Sequence, residues 1–280
     1  MNADLKKSVE TVLKLAIKED RVKEDATTRL VTNSSKVSVG IFFKEDGILC
    51  GNKILNHIIK KIDENIKIKW DYKEGDRVKK GSLVAIVQGP GNRIIAYERI
   101  LLNFIQKLSG VATLTKSFVD TLANKKIQIL DTRKTTPGWR HLEKYAVVVG
   151  GGKNHRMNLA ESILIKDNHI KFCEGIEVVL DKIEKSKTNL RIEVEVSSLN
   201  ELEKIVKFNI NQIMLDNFKI REISKAIKMI RSTSKAKIEL SGNIKQKDLK
   251  SLSSYDIDFI SIGKLTHSAP FLDISMNVLR

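Results

Sequence analysis

The feature that most restricts the fold of this chain is a pattern that recurs between residues 127 and 264. Six short, β-rich apolar runs each end in a polar or glycine cluster: IQILDTRK (127–134), SILIKDNH (162–169), RIEVEV (191–196), QIMLDN (212–217), KIELSGN (237–243) and FISIGK (259–264). Amphipathic charged stretches such as LNELEKIVKF (199–208) and IREISKAIKMI (220–230) lie between them. Strands that alternate with helices in this way imply βα units and a parallel sheet. An open doubly wound sheet would accommodate the pattern. A closed or nearly closed barrel fits it better, because polar groups stand at the end of every strand and not at one switch point.

Upstream, Leu5, Val9, Val12, Leu13, Ala16 and Ile17 recur at helical spacing. Short runs follow, VSVGIFF (37–43), GILCG (47–51), IKIKW (66–70) and SLVAIVQG (82–89), punctuated by turns at Glu74-Gly75-Asp76 and Gly89-Pro90-Gly91. They indicate a small mixed domain with a sheet. Its GDxVxxGxxL rhythm also occurs in biotinyl carriers, but a helical pattern follows here, so a plain hairpin is the reading. From Arg93 the apolar positions are helical again. Ser109-Gly110 is expected to interrupt that helix, with a second one beginning near Ala112. The expected domains are residues 1–110, 111–268 and a tail, 269–280, that returns to the first.

The net charge is +16. Such an excess suits nucleic acid, an anionic membrane or small polyanionic substrates. No run of five or six basic residues occurs, and aromatics are 5% of the chain, too few for a base-stacking surface. No specific nucleic-acid partner is expected. The charged N-terminus is unlike a signal peptide and no apolar run spans a membrane, so the expectation is a cytoplasmic protein. Cys50 and Cys173 have no ligand spacing and read as free or structural thiols.

In a barrel the loops after the strands converge on one face. That face would collect Asp131, Arg133 and Lys134; Lys166, Asp167, Asn168 and His169; Glu193 and Glu195; Asp216 and Asn217; Ser241, Gly242 and Asn243; and Ser261, Gly263 and Lys264. The loop GGGKNHR adds His155 and Arg156. Arginines fork onto carboxylates or phosphates, and lysines act as point charges. Carboxylates hold Mg²⁺, and small-residue turns offer backbone N–H groups to phosphate. The implied ligand carries carboxylates and phosphates and binds with a metal. Each residue alone has a plainer role: Asp and Asn as caps or turn formers, the triple glycine as a helix stop, His155 as a structural histidine.

These stretches, with EDATT (24–28), ERILLNFIQKLSGVAT (98–113), DTRKTTPGWRHLEKYAVVVGGGKNHR (131–156), LIKDNHI (164–170), MLDN (214–217), ELSGNI (239–244) and SIGKLTHSAP (261–270), resemble the quinolinate phosphoribosyltransferase family. The resemblance implies an α/β protein: an N-terminal α/β sandwich domain followed by an incomplete TIM-like α/β barrel, the type II phosphoribosyltransferase fold. It implies carboxylating phosphoribosyl transfer from phosphoribosyl pyrophosphate to quinolinate in NAD biosynthesis, with Mg²⁺. Carried over by motif, Arg133, His155 and Arg156, beside Thr132, would hold the two carboxylates of quinolinate. Arg99 would reach in from a neighbouring subunit of a homodimer or larger assembly. Lys134 and Lys166 would contact both substrates. Glu195 and Asp216 would bind the ribose hydroxyls and Mg²⁺, directly or through water. Ser241, Gly242 and Asn243 with Ser261, Ile262 and Gly263 would cradle the 5′-phosphate. A related branch linked to molybdate transport shares the fold. Glu24, Asn158 and Glu161 depart from the family's usual residues, but all three flank the named positions.

Overall fold

The computed structural model describes residues 1–279, with no cis peptide bond. In chain order the elements begin with α1 (Ala3–Glu19), whose first turn is capped by the Asn2 side chain accepting from Leu5 N–H, and α2 (Ala26–Val31). Strands β1 (Lys36–Phe43) and β2 (Gly47–Ile48), helix α3 (Asn52–Ile62), and strands β3 (Lys67–Trp70), β4 (Arg77–Val78) and β5 (Leu83–Pro90) follow. Next come α4 (Gly91–Leu122), β6 (Gln128–Leu130) and α5 (Arg140–Val149). The βα series continues with β7 (Ile163–Ile165), α6 (Asp167–Phe172), α7 (Ile176–Lys185), β8 (Ile192–Val196), α8 (Leu199–Ile205), β9 (Gln212–Asp216), α9 (Ile220–Thr233), β10 (Lys237–Ser241), α10 (Leu249–Leu252) and β11 (Phe259–Ser261). Helix α11 (Lys264–His267) and strand β12 (Ile274–Val278) end the series.

Two compact units result. One comprises residues 1–117, 134–152 and those from Lys264 on; the other comprises 118–133 and 153–263. In the first, an antiparallel sheet of order β12-β1-β5-β3 has helices packed beside it, α1 against α3 and α5 and α3 against β3. The register of β1 and β5 puts Val39, Ile41, Ala85 and Val87 on one buried face, and Phe43 and Val84 are buried as well. The tail returns to this sheet, where β12 pairs β1 in the register Ile41↔Met276.

Helix α4 is continuous where the sequence predicts a break at Ser109-Gly110. Gly110 marks a close approach and not a helix end. A Cβ there would lie 1.9 Å from the Pro270 carbonyl oxygen, and the neighbouring Leu272 N–H donates to the Gln106 carbonyl. Glycine, at some cost in helix propensity, lets the tail cross the helix. The GILCG run is likewise shorter than predicted as a strand. Only Gly47 and Ile48 pair, with β4, while the Cys50 N–H donates to the Ser109 hydroxyl.

In the second unit β6 to β11 form a parallel sheet of order β6-β11-β10-β9-β8-β7. Its two ends, β6 and β7, are consecutive in the chain and are not paired to each other. Outside β6, Lys153 forms a single parallel bridge with Leu130. This is an α/β barrel left incomplete. Side chains on strands alternate between faces, and the register sorts them here. Ile129, Val194, Ile213, Leu215, Ile238, Leu240 and Ile260 are buried on one face, on the side of the amphipathic helices. On the lumen face one level holds Gln128, Phe259, Glu239, Met214 and Glu195; the next towards the strand ends holds Leu130, Ser261, Ser241 and Asp216. No described helix is long and apolar enough to cross a membrane, and Cys50 and Cys173 are both free thiols.

Candidate active site

Strand pairing in the second unit brings most of the expected residues to one lumen. Lys166 follows β7 directly, and its Nζ lies 3.0 Å from Glu195 Oε2. The Lys166 backbone N–H donates to His169 Nδ1, which fixes the turn into α6. Glu195 stands opposite Met214, two residues before Asp216. Glu195 and Asp216 are therefore diagonal neighbours on adjacent strands and the same face. Asp216 accepts from Asn217 Nδ2 at 2.7 Å.

The turns after β9 and β10 are built on left-handed backbone. Asn217, Gly242 and Asn243 have φ of 54°, 91° and 46°. The Asn217 N–H donates to the Ser241 carbonyl, and Asn243 Nδ2 reaches Asn217 Oδ1 at 3.3 Å. Asparagine tolerates this region because its short polar side chain bonds locally. A Cβ on Gly242 would stand 2.3 Å from Asn217 Oδ1 and 2.7 Å from its backbone nitrogen. After β11, Ser261 is buried, and the Ile262 N–H donates to the Leu130 carbonyl, continuing the ladder to β6. Gly263 follows at once.

The basic segment lies along β6. Asp131, fully buried, accepts from the His155 N–H at 2.9 Å, so the GGGKNHR loop is tied to the end of that strand. Arg156 Nη1 donates to the Ser162 carbonyl at 2.8 Å. Burial lowers the Arg156 pKa, the Arg133 charge lowers it further, and Glu193 opposes both. Two guanidiniums near enough to repel favour an anion between them. The His155 ring turns into the lumen, where Nδ1 accepts from the Arg156 N–H at 2.8 Å and Nε2 lies 3.0 Å from Glu193 and 3.6 Å from Glu239. Burial, then the Glu193 charge, raises the Glu239 pKa.

From the sequence Glu193 is only a strand-end acid, and nothing there marks Glu239 by itself. Both are inside the barrel, at 6% and 0% exposure. The signal was the alternation: Glu193 shares a strand face with Glu195, and Glu239 shares one with Ser241. Below them a cavity of ≈ 400 Å³ is lined by Gln128, Lys153, Arg156, Arg191, Asn211 and Phe259, among others. The two expected residues outside this unit are Lys134 and Arg99. The Lys134 carbonyl accepts from Thr266 Oγ1 at 2.7 Å. Arg99 stands exposed on α4, lining a depression with Asp20, Arg21, Glu24, Asp25 and Ile95. The three departures are local: Asp25, next to Glu24, caps α2 through Thr28, and Glu161 and Asn158 accept from Met157 and Ala160 N–H.

Two family models cover nearly all of the chain: "Quinolinate phosphoribosyl transferase, N-terminal domain" matches residues 25–109 and the C-terminal domain matches 111–277. The chain belongs to the quinolinate phosphoribosyl transferase family. It is 38% identical to the probable nicotinate-nucleotide pyrophosphorylase [carboxylating] of Bacillus subtilis, over 93% of this chain and 90% of that one. It is 35% identical to the chloroplastic nicotinate-nucleotide pyrophosphorylase [carboxylating] of Arabidopsis thaliana, over 96% of this chain and 82% of the relative. The solved nicotinate-nucleotide pyrophosphorylase of Francisella tularensis superposes with a TM-score of 0.91 at 35% identity, covering 98% and 97% of the two chains. Membership of this family accounts for the order of the N- and C-terminal domains.

Proposed function

We propose that this chain is the carboxylating enzyme of its family, a phosphoribosyltransferase that turns quinolinate and phosphoribosyl pyrophosphate into nicotinate mononucleotide, CO₂ and pyrophosphate in de novo NAD biosynthesis. The observation that carries this reading is the match to both quinolinate phosphoribosyl transferase domains along the chain, with Arg133 and Arg156, whose charges oppose each other, among the matching residues. Two adjacent guanidiniums suit the adjacent carboxylates of quinolinate, since each arginine can fork onto one of them. The Lys134 and Lys166 side chains meet the negative charge of both substrates. The turns at 241–243 and 261–263 are assigned to the 5′-phosphate: Gly242 and Asn243 take left-handed backbone that glycine and asparagine adopt easily, whereas the Ile262 N–H is held by the Leu130 carbonyl and is not one of the donors.

The chemistry asks little of covalent catalysis. The pyridine nitrogen forms a bond to the ribose carbon as the bond to pyrophosphate breaks, and positive charge builds on the sugar. Glu195 and Asp216, half-exposed at the ends of neighbouring strands, stabilise that charge and hold the ribose hydroxyls. Cleavage of the ring–carboxylate bond leaves its electron pair on the ring carbon, next to the cationic nitrogen, and a proton replaces the CO₂. Two carboxylates with room for water fit Mg²⁺, which keeps several waters and uses few protein ligands. Bound there, it would neutralise the leaving pyrophosphate. Positioning and electrostatics supply the remainder.

Arg99 completes the carboxylate clamp from a second copy of the chain, so the active unit is at least a homodimer. The test is turnover of labelled quinolinate with product identification. Nicotinate mononucleotide and CO₂ should form only when phosphoribosyl pyrophosphate and Mg²⁺ are both present. Arg133→Ala or Arg156→Ala should lower kcat/KM for quinolinate by roughly 10- to 100-fold, as expected for a lost charge-assisted pair. Full activity in both variants would sink the clamp assignment.

A further inference from the structure

Under the arginines lies a buried acid pair to which the carboxylate clamp assigns no work. Glu193 on β8 and Glu239 on β10 both face His155 Nε2, at 3.0 and 3.6 Å. Gln212 on β9 donates its amide to Glu239 Oε2 at 2.5 Å, holding that carboxylate in place. The other Glu239 oxygen is buried and meets no hydrogen-bond partner. Two carboxylates inside a barrel are costly unless a cation or a proton compensates them.

A divalent cation is one way to compensate them, since His155, Glu193 and Glu239 offer ligand atoms within 4.8 Å of one another. The other ring nitrogen of His155 argues against it. Nδ1 accepts the peptide N–H of Arg156 at 2.8 Å, so Nδ1 carries no proton. A neutral imidazole then has its proton on Nε2, and no lone pair there faces the acids. The ring donates to Glu193, with Glu239 just beyond hydrogen-bond reach at 3.6 Å; a proton on Glu239, whose pKa burial and Glu193 raise, relieves the paired charge.

We infer that Glu193 and Glu239 are positioning residues for the quinolinate site. Glu193 holds His155 from inside the barrel through Nε2–H while Glu239 packs beside the same nitrogen, and His155 in turn holds the Arg156 peptide through Nδ1, so the acid pair sets the aim of the Arg156 guanidinium. Three observations support this sequence of contacts. His155 is immobilised at both nitrogens and at its own N–H, by Arg156, the acids and Asp131. The acids come from two different strands, which fixes the ring in the lumen. Glu193 also supports the Arg156 charge that Arg133 opposes. The inference rests on the proposed activity for its kinetic consequence but not for its geometry.

Both layers can be tested in the full-length protein. Nitrogen-15 NMR of the His155 ring without substrate should show Nε2 protonated and Nδ1 bare, and Glu239→Gln or Glu193→Gln should shift both signals. In steady-state assays either variant should raise KM for quinolinate about tenfold, the order expected when a buried acid of the pair is replaced by a neutral amide. KM for phosphoribosyl pyrophosphate should stay within about twofold. If Glu239→Gln does not fold, Glu193→Gln carries the same test, because it faces the same nitrogen. A ring protonated at Nδ1, or a bound metal that shifts the His155 ring signals and is lost in Glu193→Gln, would overturn the inference. So would a lowered melting temperature with both KM values unchanged, which is the mark of a purely structural role. If the wild type does not turn over quinolinate, the proposed function fails while the ring signals still decide the geometry.

Discussion

Gly242 shows how much a single hydrogen atom determines in this site. Its φ of 91° lies where a side chain is strained, and a methyl group would sit 2.3 Å from Asn217 Oδ1. Asn217 cannot yield easily, because its backbone nitrogen is only 2.7 Å from the same point and its N–H is bonded to Ser241. Gly242→Ala should therefore cost ~1–3 kcal/mol of stability in chemical denaturation. It should also raise KM for phosphoribosyl pyrophosphate more than KM for quinolinate, because the phosphate turn is the part displaced. Unchanged stability and KM would remove Gly242 from the cradle. Gly242 was legible in the sequence, since glycine after a strand end is a turn signal. Glu239 was not, because an acid inside an alternating run is ordinarily taken for the solvent face. Only barrel curvature makes that face a lumen.

At the scale of elements, α9, β10 and the lead into β11 are joined at one carboxylate. Asp258 accepts from Lys237 Nζ at 2.7 Å, Arg231 Nη2 at 3.0 Å and the Ile238 N–H at 3.0 Å. Partial burial raises its pKa, but Lys237, the Ile238 N–H and Arg231 outweigh that and hold it below the usual value. A depressed carboxylate pKa stabilises the fold above the unfolded value of about 3.9, and the contribution is lost as pH falls through the folded value. Asp258→Asn should cost about 1 kcal/mol at neutral pH, a figure kept small because solvent reaches Arg231 and Lys237. The gap between wild type and variant should close in urea melts below about pH 4. A gap independent of pH would mean that the charge is irrelevant. The strand ladder these groups reinforce was readable from the polar cluster after each apolar run. The unbroken α4 was not. Ser109-Gly110 looks like a helix stop from within the helix, and only the Pro270 carbonyl, 160 residues later in the chain, explains it.

For the whole molecule, the sequence specifies the active unit only through the family resemblance. Arg99 is an exposed arginine on α4, and the exposed Leu30, Val31 and Ile95 of the same compact unit are the kind of surface a second copy would cover. No spacing or periodicity assigns Arg99 to another subunit's chemistry. The proposal makes a strict statistical demand, however. Arg99→Ala and Arg133→Ala subunits should each keep only about 1–10% of wild-type kcat/KM alone, one lacking the donated residue and the other the resident one. When they are unfolded together, mixed and refolded, random pairing makes about half of the dimers mixed. Each mixed dimer has one site with Arg133 from one subunit and Arg99 from its partner, and a second site lacking both. The mixture should recover about a quarter of wild-type turnover, a level neither parent reaches. If the mixture stays at the level of its parents, Arg99 acts within its own chain or not at all, and the shared site is wrong.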